Sequence, residues 1–222
     1  MSSSRVAASL LTGKSAFLID LDGTLVDSSP VHAQAFREAF AEVAPEHLDG
    51  FDYERVKGRS TNDALLSCGV ADAAVRARLQ LCKQRAYRTL AAAGAVPLFP
   101  GGERLLARLR AVGRLILVTN GSAASAQAVL GPLRLARHFD GVITGDEVER
   151  GKPHPELFLL ALQRFELDSA AVLCVEDAES GVAAARAAGI DVVAVNTQQH
   201  FPGVASFATL ESFAFWIEEV LP

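Results

Sequence analysis

Short, almost continuously apolar segments recur along this chain, and between them apolar residues follow a helical spacing. Four such segments cover residues 16–20, 115–119, 171–175 and 191–195, and a weaker fifth covers residues 141–144. Strands that are covered on both faces have such nearly continuous apolar sequences, because neither face is exposed to solvent. The segments between them repeat apolar residues three or four positions apart, as on the buried face of a helix. This alternation predicts an α/β fold with a doubly wound parallel sheet.

Residues 28–96 break the alternation, because they contain no convincing strand. Their apolar residues recur at helical spacing, beginning with Val31, Ala35, Phe36, Ala39 and Phe40. Prolines and glycines around residues 97–102 mark the return to the alternating pattern. We therefore predict an inserted all-α subdomain at 28–96, carried by an α/β domain of residues 1–27 and 97–222.

Polar residues collect where the predicted strands end. They are Asp20 and Asp22 at the first strand, Thr119 and Asn120 at the second, Glu176 and Asp177 at the third, Asn196 at the fourth, and Lys152 in a Gly-Lys-Pro turn. The carboxyl ends of parallel strands share one edge of a sheet, where ligands of open α/β sheets bind. We therefore expect these groups to converge.

Carboxylates brought together repel one another and need a cation to stay ionised. Hard oxygen ligands suit Mg²⁺, and a lysine and a threonine beside them suit phosphoryl oxygens. A carboxylate can also act as a nucleophile in such a site. The constellation predicts metal-assisted phosphoryl transfer.

Composition narrows the class of protein further. The 222 residues are 50% hydrophobic, which is enough for a large core and excludes disordered and collagen-like chains. The net charge of −5 argues against a nucleic-acid partner. The three cysteines are odd in number and far apart, which favours a reducing, cytoplasmic setting. No apolar stretch is long enough for a membrane helix, so no membrane partner is expected.

Four motifs in order along the chain carry a family resemblance. They are Asp-Leu-Asp-Gly-Thr at 20–24, Thr-Asn-Gly at 119–121, Gly-Lys-Pro at 151–153 and Val-Glu-Asp-Ala-Glu-Ser-Gly at 175–181. With them the chain resembles the haloacid dehalogenase (HAD) superfamily, in its phosphatase and phosphomutase branch with a small helical cap. It is similar to β-phosphoglucomutase-like sugar phosphatases. The resemblance implies a HAD-like, Rossmannoid core with residues 28–96 as the cap.

The resemblance also implies roles for the residues of these motifs. Asp20 would be the nucleophile that becomes an aspartyl phosphate, and Asp22 the general acid and then the base. Mg²⁺ would be held by Asp20, the backbone carbonyl of Asp22, Asp177 and Glu176. Phosphoryl oxygens would be bound by Thr119, Asn120, Gly121 and Lys152, of which Thr119 and Lys152 count among the catalytic residues.

The cap residues expected to face the substrate are His32, Lys57, Arg59 and Lys83. In β-phosphoglucomutase relatives, a histidine at the position of His32 assists acid–base chemistry on the sugar. An arginine of the mutase pattern is replaced by Thr61 in this chain, which removes a clamp for a second phosphate.

The sequence therefore predicts a Mg²⁺-dependent phosphatase of a small phosphorylated metabolite, of the sugar phosphate or phosphoglycolate type. A phosphomutase of the β-phosphoglucomutase type, a metal-independent haloacid dehalogenase and a non-catalytic binding module remain as alternatives. The substrate's identity and the oligomeric state are left open by the sequence.

Overall fold

A six-stranded parallel sheet forms the centre of the molecule in the computed structural model, which describes residues 10–221. The strands are β1 (Ala16–Ile19), β2 (Arg114–Val118), β3 (Gly141–Ile143), β4 (Val172–Glu176), β5 (Asp191–Ala194) and β6 (Ala205–Ser206). Their order across the sheet is β3-β2-β1-β4-β5-β6, and every pairing is parallel. The predicted doubly wound α/β sheet is confirmed, and the five predicted strands lie within one residue of their expected bounds.

The α-helices bounded within the described residues are eight. They are α1 (Ser29–Val43), α2 (Thr61–Ser67), α3 (Ala73–Ala92), α4 (Gly102–Val112), α5 (Ala123–Leu133), α6 (Glu156–Arg164), α7 (Glu179–Ala187) and α8 (Leu210–Val220). None of them is both long and apolar enough to cross a membrane.

Two hydrophobic clusters cover the two faces of the sheet, which explains the unbroken apolar strands. On β1, Phe17 and Ile19 belong to one cluster, and Ala16 and Leu18 belong to the other. All four side chains are buried. Since both faces of the strand are dry, no position on it can hold a solvated polar residue.

Helices α1, α2 and α3 lie between β1 and α4 in the chain, and α1 packs along α3. A third cluster holds them together through large side chains such as Phe40 and Leu79. Ala35 of α1 and Tyr87 of α3, however, belong to one of the two clusters that cover the sheet. Helix α3 also packs against α5. The helical segment is therefore seated directly over the carboxyl edge of the sheet.

Candidate active site

Three carboxylates meet where the two central strands end. Asp20 directly follows β1, and β1 pairs with β4 in a register that places Ile19 opposite Val175. This register brings Asp20 beside Glu176, and Asp177 follows immediately. One carboxylate oxygen from each of Asp20, Glu176 and Asp177 lies within 4.8 Å of the other two. The predicted convergence of these side chains is what the parallel register produces.

Lys152 is the cation of this carboxylate cluster. Its Nζ lies 2.7 Å from Asp20 Oδ1 and 2.5 Å from Glu176 Oε1, and it donates to the carbonyl oxygen of Val118 at 2.7 Å. Only 4% of the side chain is exposed. Burial lowers the pKa of Lys152, but the charges of Asp20 and Glu176 outweigh burial and raise it above its ordinary value. The ammonium is therefore permanently charged.

The amide of Asn120 holds the backbone of Lys152. Its Oδ1 accepts from Lys152 N at 2.8 Å, and its Nδ2 donates to Lys152 O at 3.1 Å. Gly151 lies so close to this amide that an added Cβ would be 2.6 Å from Asn120 Oδ1. In this structure Asn120 therefore contacts the peptide that presents Lys152, which explains why the lysine follows a glycine.

The single positive charge of Lys152 does not balance the negative charges of three carboxylates. Burial raises the pKa of Asp20, against the attraction of Lys152, and burial together with the charge of Asp20 raises the pKa of Glu176 well above its ordinary value. Burial and then the charge of Asp20 raise the pKa of Asp177 to about 7. A divalent cation would relieve this repulsion.

Two glycines leave room only for the carboxylates themselves. A Cβ at Gly23 would collide with the carboxylate of Asp177, and a Cβ at Gly181 would collide with that of Glu176. The donors are hard oxygens, which Mg²⁺ prefers. The residues present therefore fit a magnesium ion.

Asp22 faces the helical segment, and its side chain lies outside the three-carboxylate group. Its Oδ1 accepts a hydrogen bond from the hydroxyl of Tyr87 at 3.1 Å and lies 3.8 Å from His32 Nε2. Burial raises the pKa of Asp22, but bonding and charge from His32, with hydrogen bonds from Ser28 and Tyr87, outweigh burial and lower it. The ionised carboxylate is the form this surrounding favours.

His32 and Lys83 extend this contact away from Asp22. The ring of His32 stacks on that of Tyr87, with centroids 4.1 Å apart, and Lys83 Nζ lies 3.0 Å from His32 Nδ1. Lys83 is buried, also lies over the ring of Phe36, and burial lowers its pKa to about 8. Polar groups of the helical segment thus reach Asp22.

Two of the four predicted cap residues are not part of this group. Lys57 and Arg59 are exposed, and within residues 10–221 neither side chain makes a hydrogen bond or ion pair. They lie in the turn between a short 3₁₀ helix (Tyr53–Arg55) and α2. His32 and Lys83 are brought together because they lie on the packed faces of α1 and α3.

Gly121, in the loop after β2, lies near Oδ2 of Asp22, and Thr119 contacts Gly121. Thr119 is buried, and its Oγ1 accepts from Gly121 N at 2.9 Å. A Cβ built at Gly121 would be 3.2 Å from this hydroxyl and 3.8 Å from Asp22 Oδ2. The loop after β2 therefore approaches Asp22 through backbone and a small hydroxyl group.

Two residues of the site were not among the predicted ones: Tyr87 contacts Asp22, and Thr24 Oγ1 donates to Asp177 Oδ1 at 3.2 Å. Asn196, which was expected at this edge of the sheet, bonds through its amide to the turn after Asp22. A signal for Tyr87 was available, because it lies four residues after Lys83 and thus on the same helix face.

Comparison with known proteins agrees with this geometry. Residues 14–189 match the family model described as haloacid dehalogenase-like hydrolase. The chain is 36% identical over 196 residues to Protein CbbY of Rhodobacter capsulatus, covering 80% of this chain and 83% of that protein. It is 32% identical over 189 residues to the fructose-1-phosphate phosphatase YqaB of Escherichia coli strain K12, covering 80% and 94%. In fold it resembles CbbY of Rhodobacter sphaeroides, solved with phosphate, with a TM-score of 0.75, 23% identity and coverage of 90% and 96%.

Proposed function

Since this chain belongs to the haloacid dehalogenase-like hydrolase family and is a phosphoric monoester hydrolase, we propose that it hydrolyses a small phosphorylated sugar or a similar metabolite through a phosphorylated Asp20. The observation that carries this proposal is the buried Asp20 carboxylate, paired with Lys152 and crowded by Glu176 and Asp177. The relative named as a fructose-1-phosphate phosphatase supports the substrate class.

Asp20 is the proposed nucleophile. Lys152 keeps its carboxylate ionised and oriented, and the same ammonium offsets the charge of the incoming phosphoryl group. A bond forms between a carboxylate oxygen and phosphorus while the bond from phosphorus to the ester oxygen breaks. The second half-reaction adds water to the aspartyl phosphate, releases inorganic phosphate and restores Asp20.

Asp22 is the proposed general acid and base. Its protonated form gives a proton to the leaving ester oxygen, and the resulting carboxylate, the form that its surroundings favour, then takes a proton from the attacking water. The hydrogen bond from Tyr87 and the neighbouring His32 hold its carboxylate toward the helical segment. Asp22 can therefore contact the leaving group while Asp20 contacts phosphorus.

Mg²⁺ is the proposed cofactor, held by Asp20, Asp177, Glu176 and the backbone carbonyl of Asp22. When bound, it supplies positive charge for the phosphoryl oxygens and for the crowded carboxylates. The hydroxyl of Thr119 and the backbone N–H groups of the same loop, through Gly121, complete the phosphate contacts. Asn120 contributes by holding Lys152.

Residues 28–96 are proposed as the cap over the active site, on the core of residues 1–27 and 97–222. Support comes from His32 and Tyr87, which contact Asp22 from α1 and α3, and from Lys83, whose ammonium contacts His32. Groups placed there exclude bulk water and contact the hydroxyls of a sugar. Lys57 and Arg59 would contact only the outer part of a larger leaving group.

A direct test is the release of inorganic phosphate from a panel of sugar phosphates, phosphoglycolate and an aryl phosphate. Activity should require Mg²⁺, disappear with a chelator and return when Mg²⁺ is added. Asp20→Asn should lower kcat at least about 10³-fold, whereas the exposed Asp49→Asn, a matched change, should leave kcat unchanged. Retained turnover in Asp20→Asn would contradict the nucleophile assignment.

A second candidate is a phosphomutase, and the Lys83–His32 pair beside Asp22 favours it. Such an enzyme returns the phosphoryl group to a sugar hydroxyl instead of to water. Incubation with β-glucose 1-phosphate and a trace of its bisphosphate separates the two. Glucose 6-phosphate forming faster than free phosphate indicates a mutase, and free phosphate alone indicates a phosphatase.

A further inference from the structure

The amide of Asn196 joins three separate parts of the fold. Its Nδ2 donates to the carbonyl oxygens of Gly23 and Thr24, at 2.8 and 2.9 Å, and its Oδ1 accepts from the backbone N of Leu210 at 2.6 Å. Both protons and the oxygen of the amide are thus used. Asn196 lies just beyond β5, so it ties the turn after the nucleophile to β5 and to the start of α8.

The backbone at Asn196 is built for this position. Its φ of 53° lies in the left-handed region, which asparagine and glycine tolerate better than other residues. This conformation turns the chain at the carboxyl edge of the sheet. It also sets the direction in which the amide leaves the backbone, toward the turn of residues 23 and 24.

The turn that Asn196 holds is in contact with Asp177. Thr24 Oγ1 donates to Asp177 Oδ1 at 3.2 Å, and Gly23 packs so tightly on the same carboxylate that a Cβ has no room. The backbone of the turn is also closed internally by Gly23 N donating to Val26 O at 2.9 Å. A movement of this turn by a few tenths of an ångström would therefore displace Asp177.

We propose that Asn196 is a positioning residue that sets the affinity of the carboxylate cluster for Mg²⁺. Its amide bonds to backbone atoms and to none of the carboxylates, and it acts through the turn and Thr24 on Asp177. This inference rests on the proposed function, because it takes Asp177 to be a ligand of the metal. Mutating a residue that holds a metal ligand in place commonly lowers metal affinity by 10- to 100-fold.

The test compares Mg²⁺ binding by the full-length wild type and Asn196→Gly. Glycine removes the amide and keeps the left-handed backbone free of strain. Binding is measured as the Kd obtained by fitting the rise of stability with the Mg²⁺ concentration c to RT ln(1 + c/Kd), and separately as the Mg²⁺ concentration for half-maximal hydrolysis of an aryl phosphate. Both should increase roughly tenfold, while KM for the aryl phosphate at saturating Mg²⁺ should stay unchanged.

Thr209→Ala is the matched control. Thr209 caps the same helix α8 through a bond from Ser212 N to its Oγ1, but it makes no bond to the turn. It should lower Tm without changing the Mg²⁺ response. Thr24→Val breaks the same route at its other end and serves if Asn196→Gly does not fold. Because both changes interrupt the same route, the double variant Asn196→Gly/Thr24→Val should bind Mg²⁺ about as strongly as the single variant with the lower affinity.

The outcomes separate the two proposals. A wild-type protein whose Tm and activity ignore Mg²⁺ overturns the proposed function and this inference with it. A wild type that responds to Mg²⁺, together with an unchanged response in Asn196→Gly or Thr24→Val, overturns only the inference. Weakened binding in Thr209→Ala to the same extent would also overturn it, since general loosening of α8 would then be the cause.

Discussion

Replacing Lys83 by methionine should stabilise the folded protein at pH 7. The ammonium of Lys83 is buried, lies 3.0 Å from His32 Nδ1, and sits 5.1 and 5.4 Å from the ring centroids of Phe36 and Tyr87. None of these contacts is with a carboxylate, and burial lowers the pKa of Lys83 in spite of the more distant charge of Asp22. A charge held in this way costs stability.

The cost follows from the pKa. A fall from the ordinary 10.5 to about 8 corresponds to about 3 kcal/mol at pH 7, where Lys83 is protonated in both the folded and the unfolded chain. Methionine fills the same aromatic surroundings and loses one hydrogen bond to His32, worth about 1 kcal/mol. The expected net gain in the free energy of unfolding at pH 7 is about 2 kcal/mol.

The stability advantage of the methionine variant should shrink as the pH rises from about 8 to 10.5. Below about pH 8 the folded protein bears the full cost of the charge. Between pH 8 and 10.5 the folded chain releases the proton while the unfolded chain still holds it, so the wild type gains stability relative to the variant. Near pH 10 the remaining cost is below about 1 kcal/mol, and the advantage of methionine should disappear.

Urea unfolding at pH 7 and pH 10, analysed at equal m-values, measures both quantities. Lys57→Met is the control, because Lys57 is exposed and its removal should change stability by no more than about 0.5 kcal/mol at either pH. If Lys83→Met is less stable than the wild type at pH 7, or gains the same amount at both pH values, the reasoning about the buried ammonium is wrong.

Three further predictions concern the site itself. Tyr87→Phe removes a hydrogen bond that lowers the pKa of Asp22, so the alkaline limb of the kcat/KM profile, which reports the acid form, should move to higher pH. Gly181→Ala places a Cβ on the carboxylate of Glu176, and should cost at least about 2 kcal/mol of stability and most of the activity. The rise in Tm caused by Mg²⁺ should be larger at pH 8 than at pH 5.5, because protons compete with the metal below the pKa of Asp177, about 7.

Each of these has a control or a contrary result. Gly131→Ala is also a glycine replacement in a helix, but no atom lies within 4 Å of the added Cβ, so it should stabilise the protein by about 0.5–1 kcal/mol. Equal losses in both glycine variants would mean that Glu176 is not confined. An unmoved alkaline limb in Tyr87→Phe would show that its hydroxyl does not act on Asp22. A Mg²⁺ effect independent of pH would exclude Asp177 from the metal site.

The core strands were predictable because they are local patterns with one physical cause. An unbroken run of at least four apolar residues is stable in a strand only where both of its faces are dry, and β1, β2 and β4 all contain such a run, as does β5 together with the next residue, Val195. The two-residue β6 was not predicted, because it is too short for any periodicity to show. It forms at the sheet edge by pairing with β5.

The side-chain partners within the site were less accessible to sequence reasoning. Asn120 lies in the motif beside a threonine that was predicted to bind phosphate, but its amide bonds to the backbone of Lys152, 32 residues away. Lys57 and Arg59 had the right charge for a phosphorylated substrate, yet they lie in an exposed turn. Charge and motif position do not determine which way a side chain is turned.

The sequence by itself determined the parallel sheet and the edge at which the acidic residues, Lys152 and the polar strand ends would meet. Both follow from hydrophobic burial and from chain connectivity, which act along short stretches of sequence. Only the tertiary structure decided that Tyr87 reaches Asp22 and that Asn196 holds the turn at Gly23. These contacts join residues 65 and 173 positions apart, and their geometry depends on how helices and strands pack, which no local pattern encodes.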